Sequence, residues 1–314
     1  RWPAHVLAGQ GFAMAGSSLP ASPERWPGAD AFAYLNLNNP VALRDTFRQG
    51  IVEQRIFFDA LARLVVPKEV LAGCAGASLP AGEAGFRFSF DRLTAQGQSM
   101  GGMYTNLIGA TEPRIGAVVP TGAGGFWTYF VLRTPKVQGA GTLLGLFLGT
   151  QQKLDALHPA MALTEAALEP VDPLASVPRL ARRPLDRHPV RPIYEPVGKD
   201  DSYFPTPVYD AMALGYGHPR AGDDVWPTLR EAQSLIGLDA PVAYPVRANV
   251  KSETGASYTG AVVQYAPPPG TDGHSIYRRV DAVMHQYACF HGSFHRTGAA
   301  VIVAPDGVDA PCPE

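Results

Sequence analysis

The chain has 314 residues, of which 46% are hydrophobic and 17% are charged, so it has enough apolar side chains for a large core. It carries too few charges for a disordered or nucleic-acid-coating protein, and its formal net charge of −2 gives no reason to expect binding to a phosphate backbone or an anionic membrane surface. The 33 glycines and 30 prolines predict a globular protein with many loops.

The first predicted elements are a short buried strand and a long amphipathic helix. Apolar residues 12–15 lie between glycine-containing turns, which favours a strand. The helix is predicted to begin at Asn39 and Pro40, because Asn caps free N–H groups and Pro is tolerated in a first turn. Its apolar residues recur at helical spacing from Leu43 onward, and we expect it to stop at Pro67.

A strand, a tight turn, a helix and a second strand are predicted next. Residues 86–90 alternate apolar and polar side chains, and residues 93–96 lead to a glycine-flanked turn at Gly97. A helical stretch at 103–108 then precedes the β-branched run 115–119, which is typical of a buried parallel strand.

The middle of the chain is predicted to form an inserted cap. The chain changes character from residue 122 to about residue 184, where aromatic and leucine side chains are crowded among glycines between Phe126 and Leu148 with no strand pattern. A pattern typical of α/β proteins returns with a predicted strand at 193–197. We therefore expect a core formed by residues 1–121 and 185–314, with the cap at 122–184 between its two parts.

The last part of the core is predicted to contain a helix over 207–214, a strand over 261–265 and a final helix. Three cysteines, with no Cys-x-x-Cys spacing, do not suggest a zinc site. Cys289 and Cys312 could tie down the C-terminal tail if the protein is exported, whereas in the cytosol they and Cys74 would stay reduced.

The segment from Gly97 to Gly101 fits the pattern Gly-x-Ser-x-Gly with Ser99 at its centre. Hydrolases use this spacing to hold a serine on a strained turn between a strand and a helix, where larger flanking side chains would clash. The strand predicted before the motif and the helix after it supply that context, so Ser99 is the candidate nucleophile. The alternative is an ordinary glycine-rich turn.

A serine nucleophile needs an imidazole to take its proton and a carboxylate to orient that imidazole. In proteins with the Gly-x-Ser-x-Gly turn, the three residues follow one another along the chain in the order serine, acid, histidine. His274, on a loop after the last predicted strand, is the candidate base, and the other histidines lie too early, near the cap or in the final helix. Asp201, four residues before Pro205, is preferred as the acid, with Asp200 as the alternative.

The sequence resembles the α/β-hydrolase superfamily, in particular secreted bacterial serine esterases and lipases. The matching residues are spread over most of the chain: Asn38-Asn39-Pro40 before the long helix, Gly97 to Gly102, Asp172-Pro173 at the cap exit, Gly198 to Pro205, and Val263-Gln264-Tyr265 before Gly273-His274. The resemblance implies an α/β-hydrolase fold with a mainly parallel sheet, helices on both faces and an inserted cap. It also implies that Ser99 is the nucleophile, Asp201 the acid and His274 the base.

The resemblance further implies an oxyanion hole with two backbone donors. The N–H of Met100, the residue after the serine, is the first donor. The second comes from a loop after an early strand that is often marked by His-Gly, and no His-Gly precedes Phe12. Residues 1–3 also read as the interior of a protein, so we expect the early strands to be missing from the numbered chain and leave the second donor unassigned.

These observations predict a carboxylic ester hydrolase acting on a small-molecule or polymeric ester with a short-to-medium acyl chain or a hydrophobic oligoester. The same triad would serve an amidase, peptidase or acyltransferase, and a catalytically silent binding protein is a further alternative. Phe126 and Trp127 are predicted to contact the substrate.

No metal, organic cofactor or nucleic acid is expected. An integral membrane segment is not expected either, because the longest uncharged run, 115–132, contains Pro120 and several glycines. The resemblance implies a secreted or periplasmic location.

Overall fold

A five-stranded parallel sheet dominates the computed structural model, which describes residues 2–28, 33–36, 39–136, 139–151 and 154–313. The strands in these ranges are β1 (Val66–Pro67), β2 (Gly85–Phe86), β3 (Leu93–Gln98), β4 (Ile115–Thr121), β5 (Ile193–Gly198), β6 (Arg220–Ala221), β7 (Val250–Lys251), β8 (Ser257–Tyr258) and β9 (Gly260–Tyr265). The helices are α1 (Pro3–Ala8), α2 (Pro40–Arg63), α3 (Met100–Thr111), α4 (Trp127–Arg133), α5 (Ala140–Phe147), α6 (Pro159–Leu168), α7 (Pro173–Ser176), α8 (Thr206–Tyr216), α9 (Pro227–Ser234), α10 (Ile276–Arg279) and α11 (Asp281–Thr297).

The strand order in the central sheet is β3-β4-β5-β9-β6, and every neighbouring pair is parallel. Gln98 at the end of β3 lies beside Thr121 at the end of β4, and Gly198 of β5 lies beside Tyr265 of β9. The carboxyl ends of these strands therefore meet at one edge of the sheet, where α/β proteins bind their ligands.

Helices cover both faces of the sheet, because alternate side chains of each strand point to opposite faces. Val118 packs in the cluster that contains Ile108 of α3, whereas Ala117 and Val119 pack in the cluster that contains Phe290 of α11. The fold class predicted from the sequence is confirmed: a mainly parallel sheet lies between two layers of helices.

The predicted strands at 115–119, 193–197 and 261–265 are confirmed as β4, β5 and β9. Their side chains are buried on both faces, with one half-buried glycine in β4, which explains why these segments are mostly apolar; Glu195 of β5 and Gln264 of β9 are buried polar exceptions. The helices predicted at 103–108 and 207–214 are confirmed as parts of the longer α3 and α8.

The strand predicted at residues 12–15 is wrong. These residues are irregular, and Phe12 packs against the rings of His291 and His295 instead, with centroid distances of 6.0 and 5.0 Å. An apolar tetrapeptide can satisfy its side chains in this way without a neighbouring strand to share its backbone hydrogen bonds.

The elements around α2 differ from the prediction at their ends. Asn39 caps α2 by accepting from the N–H of Ala42 at 3.1 Å, as predicted, but Asn38 lies outside the described residues. The helix ends at Arg63, before Pro67, because residues 66 and 67 pair with residues 85 and 86 as the antiparallel strands β1 and β2. The rest of the predicted strand 86–90 has no such partner and is irregular.

Between β4 and β5 the described residues form helices and no strand. Val171 packs in a core cluster with Phe47, and Val177 and Leu180 pack in another cluster with Ile108 of α3. The end of the segment therefore shares the core of the sheet domain, and its separation at 122–184 as a cap stays a prediction. Within the described part of the chain, no helix has the length and hydropathy of a membrane span.

Strand β3 is the outer strand of the sheet, and its side chains are half-buried along its whole length. A cleft of about 780 Å³ runs beside it, lined by Phe12, Phe58, Gln96 and His291 among others. Among the described residues, β3 pairs with β4 alone.

Cys289 of α11 forms a disulfide with Cys312 near the C-terminus, whereas Cys74 is a free, exposed thiol. The bond packs against Val301 and Val303, so it fastens the C-terminal tail to the last helix. The pairing that the sequence left open is thus the one found in the structure.

We expect reduction of this disulfide to lower the free energy of unfolding by about 3 kcal/mol, because the bond closes a loop with a sequence separation of 23. Urea unfolding of wild type with and without a reductant measures the difference, and Cys312→Ser should match the reduced protein. Cys74→Ser is the control and should unfold like wild type. Equal midpoints with and without reductant would show that the bond adds no stability.

Candidate active site

Ser99 lies in the tight turn between β3 and α3, with φ 59° and ψ −123°. A positive φ is unfavourable for a residue with a side chain, so the surrounding structure has to hold it. The N–H of Ser99 donates to the carbonyl of Thr121 at the end of β4 (3.1 Å), and its own carbonyl accepts from the N–H of Met103 (2.9 Å). The turn is thereby fixed to the neighbouring strand and to the helix that follows.

Two glycines make the turn possible by allowing close backbone contact. A Cβ on Gly97 would lie 2.1 Å from the carbonyl oxygen of Gly101, and a Cβ on Gly102 would lie 2.8 Å from the Cβ of Ala123. A Cβ on Gly101 would contact nothing beyond its own helix. Of the two glycines in the sequence pattern, Gly97 is therefore the one that packing requires, and Gly102 is a second requirement that the pattern does not contain.

Replacing Gly97 by Ala should lower the free energy of unfolding by about 3 kcal/mol, because the new methyl group collides with backbone that cannot move without opening the turn. Gly101→Ala is the matched control and should change it by less than about 1 kcal/mol, since Ala is favourable within a helix. Urea unfolding compares the two variants. Equal stability of both would mean that the turn is not as tightly packed as described.

Asp201 and His274 come together at the same edge of the sheet. His274 Nδ1 lies 2.8 Å from Oδ2 and 3.0 Å from Oδ1 of Asp201. The Asp201 side chain is fully buried and that of His274 is 13% exposed. With Nδ1–H donating to the carboxylate, Nε2 is the ring nitrogen that can accept a proton.

Backbone and side-chain donors hold the Asp201 carboxylate in place. Its Oδ1 accepts from the N–H groups of Tyr203 (2.7 Å) and Phe204 (2.8 Å), and its Oδ2 accepts from the hydroxyl of Tyr209. Burial and then the Asp201 charge raise the pKa of Tyr209 well above its usual value, so this hydroxyl stays protonated and donates. Asp200, the alternative acid, is exposed with a φ of 56° and is not the residue placed against His274.

The other histidines have different surroundings. Burial lowers the pKa of both His218 and His291 to about 3, so both are neutral. His218 Nε2 lies 3.2 Å from the hydroxyl of Tyr258, and His291 Nε2 lies 3.2 Å from Gln96 Oε1. In the described residues no cluster of three or more His, Cys, Asp and Glu side chains could hold a metal ion.

Aromatic side chains surround His274. The ring of Tyr203 lies 4.3 Å from the imidazole, centre to centre, and that of Phe204 lies 5.9 Å away. The ammonium group of Lys136 lies over the ring of Tyr203, 4.8 Å from the ring centre. Sequence reasoning did not single out Tyr203 or Phe204, although both follow Asp201 closely enough to be carried into the site by the same loop.

Of the two predicted substrate contacts, Phe126 and Trp127, the burial of Trp127 requires a correction. Trp127 is only 1% exposed, its Nε1 donates to the carbonyl of Val171 (3.2 Å), and its ring packs against Phe47. It is a core residue in this structure and offers no surface to a substrate. Phe126 is half-buried and stacks on Tyr129, and its contact with substrate stays a prediction.

The N–H of Met100 opens α3, where the first backbone N–H groups have no partner within the helix. This position lies directly after Ser99, as an oxyanion donor requires, and its role stays a prediction. The cleft beside β3 includes Gly97 and Gly101 in its lining but neither Ser99 nor His274, so it is separate from the paired residues.

No protein-family model and no curated protein matches the chain. Among solved structures, the chain is similar to a 2,6-dihydroxy-pseudo-oxynicotine hydrolase, with 17% identity and a TM-score of 0.39 over 83% of this chain and 50% of that chain. It is also similar to acetyl xylan esterase 1 from Thermoanaerobacterium sp. JW/SL YS485 (13% identity, TM-score 0.31, 59% of this chain and 43% of that chain). A third similar structure is an acylaminoacyl peptidase, with 15% identity and a TM-score of 0.33 over 77% of this chain and 27% of that chain.

The chain spans half or less of the length of these structures, and likenesses of this size say nothing about substrate. The decisive observations are this chain's own parallel strand order and the strained serine between β3 and α3. The chain has the α/β-hydrolase fold. In this hydrolase fold the paired Asp201 and His274 follow β5 and β9, at the same sheet edge as Ser99.

A pair of carboxyl groups anchors the start of α4 in the hydrolase fold. Asp172 accepts from the N–H groups of Phe126 (2.9 Å), Trp127 (3.1 Å) and Leu174 (2.7 Å), and Glu165 accepts from the N–H and hydroxyl of Thr128. Burial and the neighbouring Glu165 carboxyl raise the pKa of Asp172, against the opposing effect of backbone N–H groups.

The raised pKa of Asp172 should make the protein less stable as the pH rises. An unfolded Asp has a pKa of about 3.9, so the folded state keeps a proton that the unfolded state loses. The stability that this proton confers is fully present below about pH 4 and is lost as the pH rises through the folded pKa. Removing the Glu165 charge should reduce that loss.

We expect Glu165→Gln, which keeps an acceptor for Thr128, to reduce the fall in the free energy of unfolding between pH 5 and 9 by about 1 kcal/mol. Thermal unfolding across this pH range measures the effect. Glu169→Gln, an exposed neighbour, is the control and should follow wild type. Parallel pH curves for Glu165→Gln and wild type would contradict the effect of the Glu165 carboxyl on the pKa of Asp172.

Proposed function

We propose that the protein is a serine hydrolase that cleaves carboxylic esters through an acyl-enzyme, with Ser99, His274 and Asp201 as its triad. The observation that carries the proposal is the pair of hydrogen bonds between His274 Nδ1 and the buried Asp201 carboxylate. This pair lies at the strand edge that also carries Ser99 in its strained turn. A strained serine and an oriented imidazole at one edge are the parts that acyl transfer needs.

In the proposed reaction, Ser99 Oγ attacks the ester carbonyl carbon while His274 Nε2 takes the hydroxyl proton. Asp201 keeps the imidazole oriented and stabilises the imidazolium that forms. The Met100 N–H donates to the developing oxyanion. Collapse of the tetrahedral intermediate breaks the bond to the alcohol oxygen, which takes the proton from His274 as it leaves. Water then attacks the acyl-enzyme with the same base and releases the acid.

The surroundings of the triad favour an ester with an apolar acyl part. The half-buried ring of Tyr203 lies beside His274, so a group bound there meets aromatic carbon, whereas Phe204 is buried in the core. Elsewhere on the surface, helix α5 exposes Leu143 and Leu146, with 66% and 78% of their surfaces accessible, and we propose that such apolar surface serves a hydrophobic oligoester or a short-to-medium acyl chain. The chemistry uses no metal or organic cofactor.

The proposed class is that of secreted or periplasmic serine esterases and lipases. The disulfide between Cys289 and Cys312 supports export, because such bonds persist in oxidising compartments and are rare in the cytosol.

Labelling with a fluorophosphonate probe tests the proposed nucleophile. Wild type should be labelled at Ser99, located by mass spectrometry of the modified peptide, and Ser99→Ala should lose both labelling and at least about 10⁴-fold of kcat on p-nitrophenyl esters. Ser89→Ala, which removes an exposed hydroxyl on the loop before β3, is the control and should behave as wild type.

An absence of labelling in the folded wild type would overturn the triad and favour a binding protein. If Ser99 is labelled, a panel of esters, amides and peptides distinguishes an esterase from an amidase or peptidase, and added alcohols reveal an acyltransferase. Preference for amides over esters of the same acyl group would overturn the ester assignment while leaving the nucleophile in place.

A further inference from the structure

The loops that carry Asp201 and His274 touch each other through their backbones. A Cβ on Gly198 would lie 2.3 Å from the carbonyl oxygen of Gly273, and a Cβ on Gly273 would lie 2.1 Å from the carbonyl oxygen of Lys199. Only glycines allow this approach, so the distance between acid and base depends on how these two loops are held together.

Asp272 joins the two loops through a single carboxylate. Its Oδ1 accepts from the N–H of Ser202 (3.0 Å), which follows the acid directly, and from the N–H of His274 (2.9 Å). Its Oδ2 accepts from the hydroxyl of Ser202 at 2.5 Å. One side chain thus fixes the residue after Asp201 and the backbone of the base at the same time.

Gln98 holds the other side of the same peptide segment. Its Nε2 donates to the carbonyl of His274 at 2.6 Å, and Gln98 is the residue immediately before Ser99. The backbone N–H of His274 is therefore bonded to the acid loop through Asp272, and its carbonyl is bonded to the nucleophile turn through Gln98. Neither side chain contacts the imidazole nitrogens in this arrangement.

We propose that Asp272, acting with Gln98, is a positioning residue that sets where the His274 imidazole stands between Asp201 and Ser99. The inference rests on the proposed function of these three residues as a triad. Asp272 works through backbone hydrogen bonds, so its part is geometric, whereas Asp201 bonds to the ring itself.

Asp272 could affect His274 through its negative charge or through the hydrogen bonds that it accepts, and two variants distinguish these effects. Burial alone would raise its pKa, but hydrogen bonds from Ser202 and His274 outweigh burial and hold the pKa below its usual value, so the group is ionised at neutral pH. Asp272→Asn removes the charge and keeps an oxygen that can accept from both N–H groups. Asp272→Ala removes charge and acceptors together.

The expected result is a split between these two variants. Asp272→Ala should lower kcat by about 100-fold with KM changed less than about threefold, because a displaced base loses its alignment with the nucleophile. Asp272→Asn should keep kcat within about fivefold of wild type. Gln98→Ala should lower kcat in the same way as Asp272→Ala. Equal losses in the Asn and Ala variants would overturn the geometric role.

Asp210→Ala is the matched control, because Asp210 is a buried carboxylate that, like the half-buried Asp272, accepts several hydrogen bonds, here from Trp226 Nε1 (2.9 Å) and Thr228 Oγ1 (2.6 Å). It should unfold more easily than wild type but keep the wild-type kcat per folded molecule. A kcat loss in Asp272→Ala that is matched by this control would mean that general loosening of the fold, and not positioning, is responsible.

Proton NMR of the imidazole separates this inference from the proposed function. The Nδ1–H bonded to Asp201 should give a downfield resonance, assigned by its absence in His274→Gln, that persists in Asp272→Asn and is lost in Asp272→Ala. If Ser99 proves unreactive but this pattern holds, the positioning role stands and the triad chemistry fails. A resonance unchanged in Asp272→Ala overturns the positioning role whether or not Ser99 reacts.

Discussion

A buried carboxylate loses its hydrogen bonds to water and needs hydrogen-bond donors from the protein instead. This requirement determines the surroundings of Asp201. Its side chain is fully buried, and unpaired burial of a charge costs several kcal/mol. Two backbone N–H groups, the hydroxyl of Tyr209 and the imidazole of His274 supply the replacement. The turn before α8, the position of Tyr209 within that helix and the direction of His274 all follow from this one requirement.

The same requirement explains why the choice between two adjacent aspartates has a physical answer. The left-handed turn at Asp200 reverses the chain just after β5, so that Asp200 faces solvent and the next residue faces inward. The two backbone donors lie two and three residues after Asp201, where only the inward-facing residue can reach them. Spacing from Pro205 pointed to the same residue, but the turn is what places it.

The sequence was most informative where burial alone determines structure. The strands β4, β5 and β9 are buried on both faces and mostly apolar, so their composition predicts them without knowledge of the rest of the chain. The turn at Ser99 was predictable because the glycine that its packing requires, Gly97, is part of the Gly-x-Ser-x-Gly pattern. Gly102 lies outside the five-residue pattern, and its close packing against Ala123 depends on a segment that the pattern does not contain.

Elements that depend on a partner distant in the sequence were not predictable in this way. Residues 12–15 and 87–90 have strand-like composition but no strand beside them, whereas residues 66 and 67 form a strand because residues 85 and 86 reach them. Trp127 was predicted to contact the substrate because it is aromatic and lies in the predicted cap segment. In the structure its ring packs against Phe47. The hydrogen bonds from Ser202 and His274 to Asp272 could not be predicted either, because they form only where two loops distant in the sequence lie in contact.

The position of β3 at one side of the described sheet has a consequence for where the sheet opens first. Among the described residues, the strand before Ser99 is joined to the sheet by one ladder, whereas the strands before Asp201 and His274 each have a neighbouring strand on both sides. Local opening begins where the fewest bonds must break, so amide exchange should reach β3 before β5 or β9. In this chain, the turn that holds Ser99 would then open while β5 and β9 are still paired.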